Sequence, residues 1–146
     1  MAVVDFTNNW KNILDKVQST LRSEFKGAAP VFIGRADESS GTQYFRLEPV
    51  GSALIELAAF SEQREFTINI FFYFDSKEIG KTEYDHILRF VSRTEALMHD
   101  NVTLTLADST TLFDCRMESC ALDVGEPEDP YTVQWEYLCS HIGNIA

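Results

Sequence analysis

EQREFTINIFFYFD, residues 62–75, is the stretch on which the fold turns. Phe66, Ile68, Ile70, Phe72 and Phe74 hold every second position, with Thr67, Asn69, Phe71 and Tyr73 between them. Period-two alternation rich in aromatic and β-branched residues specifies a long strand with one face on a core. The opposite face is mixed: Thr67 and Asn69 suit water, whereas Phe71 and Tyr73 do not. A lone soluble sheet rarely leaves two such aromatics together in solvent, so this end calls for a cover. Upstream, Ala53, Ile55, Leu57 and Ala59 share one parity, and Ser61-Glu62-Gln63 separates the two runs. The expectation is a long β-hairpin.

Working outward toward the N-terminus, Tyr44 to Glu48 alternates with Phe45 and Leu47 on one face, and Pro49 then ends pairing or marks an edge. RADESSGT, residues 35–42, has no periodicity and reads as a mobile loop, preceded by a brief apolar piece at Val31 to Gly34. Phe6, Trp10, Ile13, Leu14, Val17, Leu21 and Phe25 lie on one stripe of a 3.6-residue period, which predicts an amphipathic helix. Asp5 or Thr7 is its expected cap, and Gly27 its stop.

Toward the C-terminus a second helix is expected. Thr82 and Asp85 resemble a capping box, and Tyr84, Ile87, Leu88, Val91 and Met98 form a stripe widened by Phe90 and Leu97. Asn101 is a plausible terminator. Val102, Leu104 and Leu106 alternate next, and Asp108-Ser109-Thr110 turns the chain. Phe113, Cys115 and Met117 share a parity that Cys120, Leu122 and Val124 reverse, which predicts a bulge near Glu118-Ser119. After an acidic loop, GEPEDP at 125–130, the final strand places Tyr131, Val133, Trp135, Tyr137, Cys139 and His141 on one face. The sum is an α+β fold: a mostly antiparallel sheet with two amphipathic helices packed on one face, in one domain spanning 1–146.

Composition narrows the function classes. Twelve basic against 23 acidic residues give 12 − 23 = −11, which argues against gripping a phosphate backbone. Basic residues are dispersed along the helices, so DNA would be met only as something that passes. The longest apolar run, Ile70 to Phe74, is far short of the roughly 20 residues a membrane span needs. The N-terminus has neither the basic nor the apolar region of a signal peptide, so no membrane role is expected. Three cysteines, Cys115, Cys120 and Cys139, with no CxxC pair, suit a reducing compartment and small apolar side chains in strands. A metal site built from these and His141 lacks the usual turn spacing, so none is expected.

No catalytic or cofactor motif is present. His86 and His99 read as solvated or helix-end residues, and no nucleophile elbow or glycine-rich phosphate cradle occurs. Glu56 lies between Ile55 and Leu57 but by parity faces water. Glu126, Glu128 and Asp129 lack the calcium-loop pattern. The reading is therefore of a non-enzyme with no cofactor.

The order of elements carries a resemblance. A helix with Trp10 near its start, the strand EQREFTINIFFYFD, the capped helix TEYDHILRFVSRTEALM (82–98) and a closing strand YTVQWEYLC (131–139) resemble the tail-terminator, or tail-completion, proteins of long-tailed bacteriophages, the minor tail protein U-like family. The resemblance covers most of the chain and rests on pattern and order; the 35–42 and 125–130 loops do not match it. It implies a subunit of a hexameric ring that sits on the last ring of the tail-tube protein, stops its polymerisation and offers a surface to the head–tail connector protein. Such a protein is assembled in the host cytoplasm, resides in the virion tail or neck, and has no enzymatic activity. Candidate partner-facing residues are Glu62 and Arg64 at the hairpin, Phe71 and Tyr73 on the uncovered face, and Glu126, Glu128 and Asp129 in the acidic loop. Two other readings compete: a different phage neck, head-completion or tail-tube protein, and a cone-shaped, nuclear-transport-factor-like domain that binds or transforms a small molecule in a pocket.

Overall fold

The computed structural model describes residues 6–34, 43–75, 80–123 and 131–144. Two helices, α1 (Asn9–Phe25) and α2 (Lys81–Asp100), accompany six strands: β1 (Val31–Ile33), β2 (Gln43–Leu57), β3 (Ser61–Phe74), β4 (Leu104–Thr105), β5 (Thr111–Asp123) and β6 (Tyr131–Asn144). The strands form one sheet in the order β1-β2-β3-β6-β5-β4, antiparallel throughout except for the short parallel β1–β2 pair. The expected α+β class and the two helices on one face are what the structure has.

The core forms where the alternating faces of the strands meet the helix stripes. Phe45, Leu47, Phe66, Ile68, Ile70, Phe72, Val133, Trp135, Tyr137 and Cys139 are buried on the helix side of the sheet. Against them lie Ile13, Leu14, Val17, Leu21 and Phe25 of α1, and Ile87, Phe90, Val91 and Met98 of α2. Aromatic rings bind the layers: Trp10 meets Phe66 edge-on at 4.8 Å, and Phe90 contacts Phe72 at 4.9 Å and Phe25 at 5.2 Å. Arg93 ties the helices together, pairing with Glu24 at 2.7 Å while its guanidinium lies over the Phe25 ring.

Both helix starts differ from expectation. α1 begins after Asn8, whose side chain accepts from the Lys11 N–H at 3.1 Å, so Thr7 is not the cap; Asp5 lies outside the described residues. Phe6 therefore precedes the helix and is exposed rather than part of its buried stripe. Replacing Asn8 with alanine should lower stability by about 1 kcal/mol, read by chemical denaturation, because one helical N–H loses its acceptor. α2 starts after Gly80, and the Glu83 carboxylate accepts from the Gly80 N–H at 3.1 Å. The cap contact thus sits two residues earlier than Thr82 and Asp85, and Leu88, expected on the apolar stripe, is exposed. The helix ends agree with the reading: Gly27 takes a positive φ of 82°, and Asn101 donates its backbone and side-chain N–H groups to the carbonyls of Met98 and Leu97.

The strands also carry corrections. β2 is one long strand and not two pieces; it runs through Pro49, which lies opposite Ile68 just beyond the three residues that β1 covers. The hairpin turn is at Ala58 to Ser61, closed by Ala58 N–H to the Ser61 carbonyl at 2.8 Å, so Glu62 and Gln63 belong to β3. Alternation is broken in β2 between Pro49 and Gly51 and between Leu54 and Glu56. β5 has the expected irregularity between Met117 and Ser119, and an earlier one between Phe113 and Arg116 where Asp114 adopts φ 54°. That earlier bulge turns Cys115, with Leu112, into the core. All three cysteines lie in strands as expected; Cys139 is buried as well, whereas Cys120 is exposed. The loop expected at 35–42 and the acidic loop at 125–130 lie outside the described residues, as does Val124.

Candidate assembly surface

The face of the sheet away from the helices is open, and its two ends differ. At one end Arg116 reaches from β5 to Glu65 on β3 at 3.1 Å, and also pairs with Asp114 and Glu118. The strand register sets the Arg116–Glu65 pair across β6 between Leu138 and Ser140, which accounts for the burial of both. The carboxylates around it hold the Arg116 guanidinium even more firmly protonated than usual. At the other end Phe71 and Tyr73 stand beside their cross-strand partners Arg46 and Tyr44. Tyr44 stacks on Tyr73 at 4.8 Å, and the Arg46 guanidinium lies 4.6 Å from the Phe71 ring centre. Phe71 and Tyr73 are thus half-buried by side chains of their own sheet, and burial raises the Tyr73 phenol above its ordinary value. The cover these aromatics called for is partly internal.

The largest apolar exposure is elsewhere. At the end of the sheet beside the hairpin turn, β3 remains paired with β6 as far as Ser61 and Asn144, and the outer strand β2 forms an arm that is solvated on both faces. Val50, Leu54, Ile55, Leu57 and Phe60 are 57, 48, 55, 62 and 70% exposed. Ala53, Ala58 and Ala59 beside them are exposed too, so the shared parity of Ala53, Ile55, Leu57 and Ala59 does not mark a core face. Five large apolar side chains gathered on one outer strand and its turn exceed the single exposed residues that are normal on a monomer. Nothing in the local pattern distinguishes this from a buried strand; only the length of the helices that stop short of it does.

Glu62 and Arg64 lie on β3 next to the hairpin turn, opposite Leu57 and Leu54, paired at 3.2 Å, and Arg64 also donates to the Ser52 hydroxyl at 3.4 Å. With Asn8, Trp10 and the exposed Phe6 they border a groove of about 500 Å3 between the start of α1 and the arm. Phe71 and Tyr73 stand nearer the other end of β3, so the structure does not bring these two pairs together. Glu126, Glu128 and Asp129 lie outside the described residues. A second open cleft, about 620 Å3, follows the end of α1 along Arg22, Lys26 and Gly27 to Pro30.

Titratable groups do not converge on either cleft. Among the described residues no group of three or more His, Cys, Asp or Glu could hold a metal ion. Glu56 is exposed and His99 stands on the last turn of α2, both as read from sequence, while His86 is half-buried and paired with Gln43 at 2.7 Å. Asp108, Thr110 and His141 form a chain of hydrogen bonds, but in the order that locks a turn: the Thr110 hydroxyl donates to Asp108 and accepts from His141 Nε2 at 2.8 Å. A nucleophile would give its proton to the histidine instead.

This chain has a pH consequence. Burial pulls His141 below its ordinary 6.5, an effect only partly opposed by the nearby Asp108 carboxylate. In the window below 6.5 and above the folded value, the unfolded chain therefore binds more protons than the folded one. Stability should be full above about pH 6.5 and fall as the solution is acidified below it. Urea midpoints measured from pH 7.5 to 5 should show that decline, and His141→Asn, which retains a donor without the titration, should flatten it.

Among solved structures, one chain from the virion of a native gene transfer agent particle matches with a TM-score of 0.64 at 13% identity, over 94% of this chain and 100% of that one. The two share a fold. A second solved chain, for which no function is stated, matches with a TM-score of 0.55 at 11% identity, over 95% and 97% of the two chains. No protein-family model and no curated protein matches the sequence.

Proposed function

We propose that this chain is a virion structural protein and acts as a tail terminator. Copies close into a ring, six in the arrangement the family resemblance implies, seated on the last ring of the tail tube. The ring ends tube growth and presents its far side to the head–tail connector, with DNA only passing through. The observation that carries this reading is the β2 arm with its hairpin turn, whose apolar side chains a single copy leaves in water. A fold shared with a virion chain supports it, as does the excess of acidic over basic residues, which would give a lumen that does not hold DNA. Partner contacts are assigned to the arm, to Glu62 and Arg64 beside its turn, to Phe71 and Tyr73, and to the acidic residues Glu126, Glu128 and Asp129.

The test is to add the purified chain to polymerising tail tubes and measure tube length by electron microscopy. A terminator shortens the length distribution and decorates one end of each tube. A tube subunit would instead be incorporated along the whole length, and a neck protein of another kind would leave growth unchanged; either result removes the terminator reading. A pocket domain finds less support, because both clefts are open and neither gathers the convergent polar groups that a small-molecule site needs.

A further inference from the structure

We propose that the arm docks on one specific place, the outer edge of β5 in a second copy of this chain, so that copies join head to tail. The inference rests on the reading of the chain as a self-assembling virion subunit and names the contact through which it assembles.

Three observations carry it. First, the sheet has two partly free edges. β1 covers β2 only at residues 45–47, and β4 covers β5 only at Thr111 and Leu112, so among the described residues no strand lies on the outer side of Gly51 to Leu57 or of Ser119 to Leu122. Such edges are ready templates for strand addition. Pro49 has no N–H and the bulges interrupt the ladder, which leaves Gly51 to Leu54 and Ser119 to Leu122 as the regular stretches.

Second, strand directions agree. β2, β3, β6 and β5 alternate in direction, four in number, so a copy placed beside this one in the same orientation brings its β5 antiparallel to β2. Repetition continues the sheet without a break in its alternation.

Third, each of these edges carries exposed apolar residues, and the two sets lie diagonally apart, with further exposed residues such as Phe6, Leu88 and Ile142 elsewhere. The arm projects at the end of the sheet where Leu57 meets Glu62, on the β2 side. Exposed Leu122 lies on the β5 side, at the opposite end where Phe74 meets Tyr131. A two-fold dimer pairs a patch with itself, whereas two different patches on opposite edges make a heterologous contact, which propagates and closes as a ring when the rotation permits.

The chain supplies its own probe, because Cys120 is the exposed native thiol and lies on the β5 edge, while Cys115 and Cys139 are buried. Leu54→Cys, treated with a short bismaleimide on the full-length protein assembled with tail tubes, should give a ladder of cross-linked species beyond the dimer. Cys120→Ala in the same background should abolish the ladder. Cys120 sits beside Glu95, and burial with that carboxylate pushes its thiol up to about 11, so a second pair guards against slow reaction. That pair is Ala53→Cys with Ala121→Cys in a Cys120→Ala background. A dimer that survives loss of the β5 thiol would mean an arm-to-arm contact and would overturn the proposal. So would an absence of cross-links in both pairs while circular dichroism shows folded protein. The two readings fail separately: a ladder with tubes of unchanged length would retain the contact and remove the terminator role. Shortened tubes without a ladder would do the reverse.

Discussion

Trp135→Ala should cost about 3 to 5 kcal/mol, a large part of the 5 to 15 kcal/mol by which ordinary domains are stable. The indole is completely buried on β6, the strand between β3 and β5, and stacks with Phe45 at 6.5 Å. Its N–H donates to the Glu95 carboxylate at 3.2 Å, so removal leaves both a cavity and an acceptor without its donor. The expected readout is a denaturation midpoint lowered in proportion, with poor soluble yield at 37 °C. Trp135→Phe fills most of the space without the N–H, and should recover the larger share of the loss. If alanine were tolerated with less than about 1 kcal/mol of change, the indole would not be the closely packed group the burial implies.

Leu57→Asp combined with Phe60→Asp should have the opposite profile. Both side chains are exposed, and neither contributes to the core, so unfolding of the isolated chain should move by no more than about 0.5 kcal/mol per site. Assembly should collapse. Buried interface anchors of this size are worth about 2 kcal/mol each, and losing two would weaken association about a thousandfold. Added charge at the interface also sets like-charged copies against each other. Analytical ultracentrifugation in the presence and absence of tail tubes, beside a thermal melt, reads both quantities. A variant that still closes rings would show that the arm is a solvated projection, and would move the interface to Phe71 and Tyr73.

The contrast between these variants explains why the sequence was legible in some places and opaque in others. The strand at 62–75, the closing strand at 131–144 and both helices were readable because each buries one face against the other layer. A one-sided environment imposes a period, and the period is visible in residues such as Phe66, Ile68, Ile70 and Phe72. The arm obeys no such constraint. Ala53, Ile55 and Leu57 have the spacing of a core face, but exposure there depends on where α1 and α2 end in space, which their parity does not record. Cap positions were misplaced for a related reason: Thr82 and Asp85 fit the chemistry of a box, yet Glu83 reaching back to Gly80 fits equally well, and tertiary packing of Phe90 and Val91 selects the phase. Asp114 at positive φ was invisible because a bulge is announced only by a later change of parity, and Cys120 already supplied one. Of the candidate contact residues, Phe71 and Tyr73 were conspicuous as aromatics on a polar face. Arg46 and Tyr44, which shelter them from the neighbouring strand, could be matched to them only once the register was known.

The position of β6 bears on how the molecule comes into being. Among the described strands it follows all the others in sequence, yet β3 and β5 each pair with it along most of their length and not with one another. A nascent polypeptide still lacking residues 131–144 therefore holds two pieces of sheet that no strand joins, one of them β4 with β5 and the other β1, β2 and β3. Neither can complete its pairing until residues 131–144 have emerged from the ribosome. Premature stops before Trp135 should accordingly leave no half-functional remnant, only substrate for proteases.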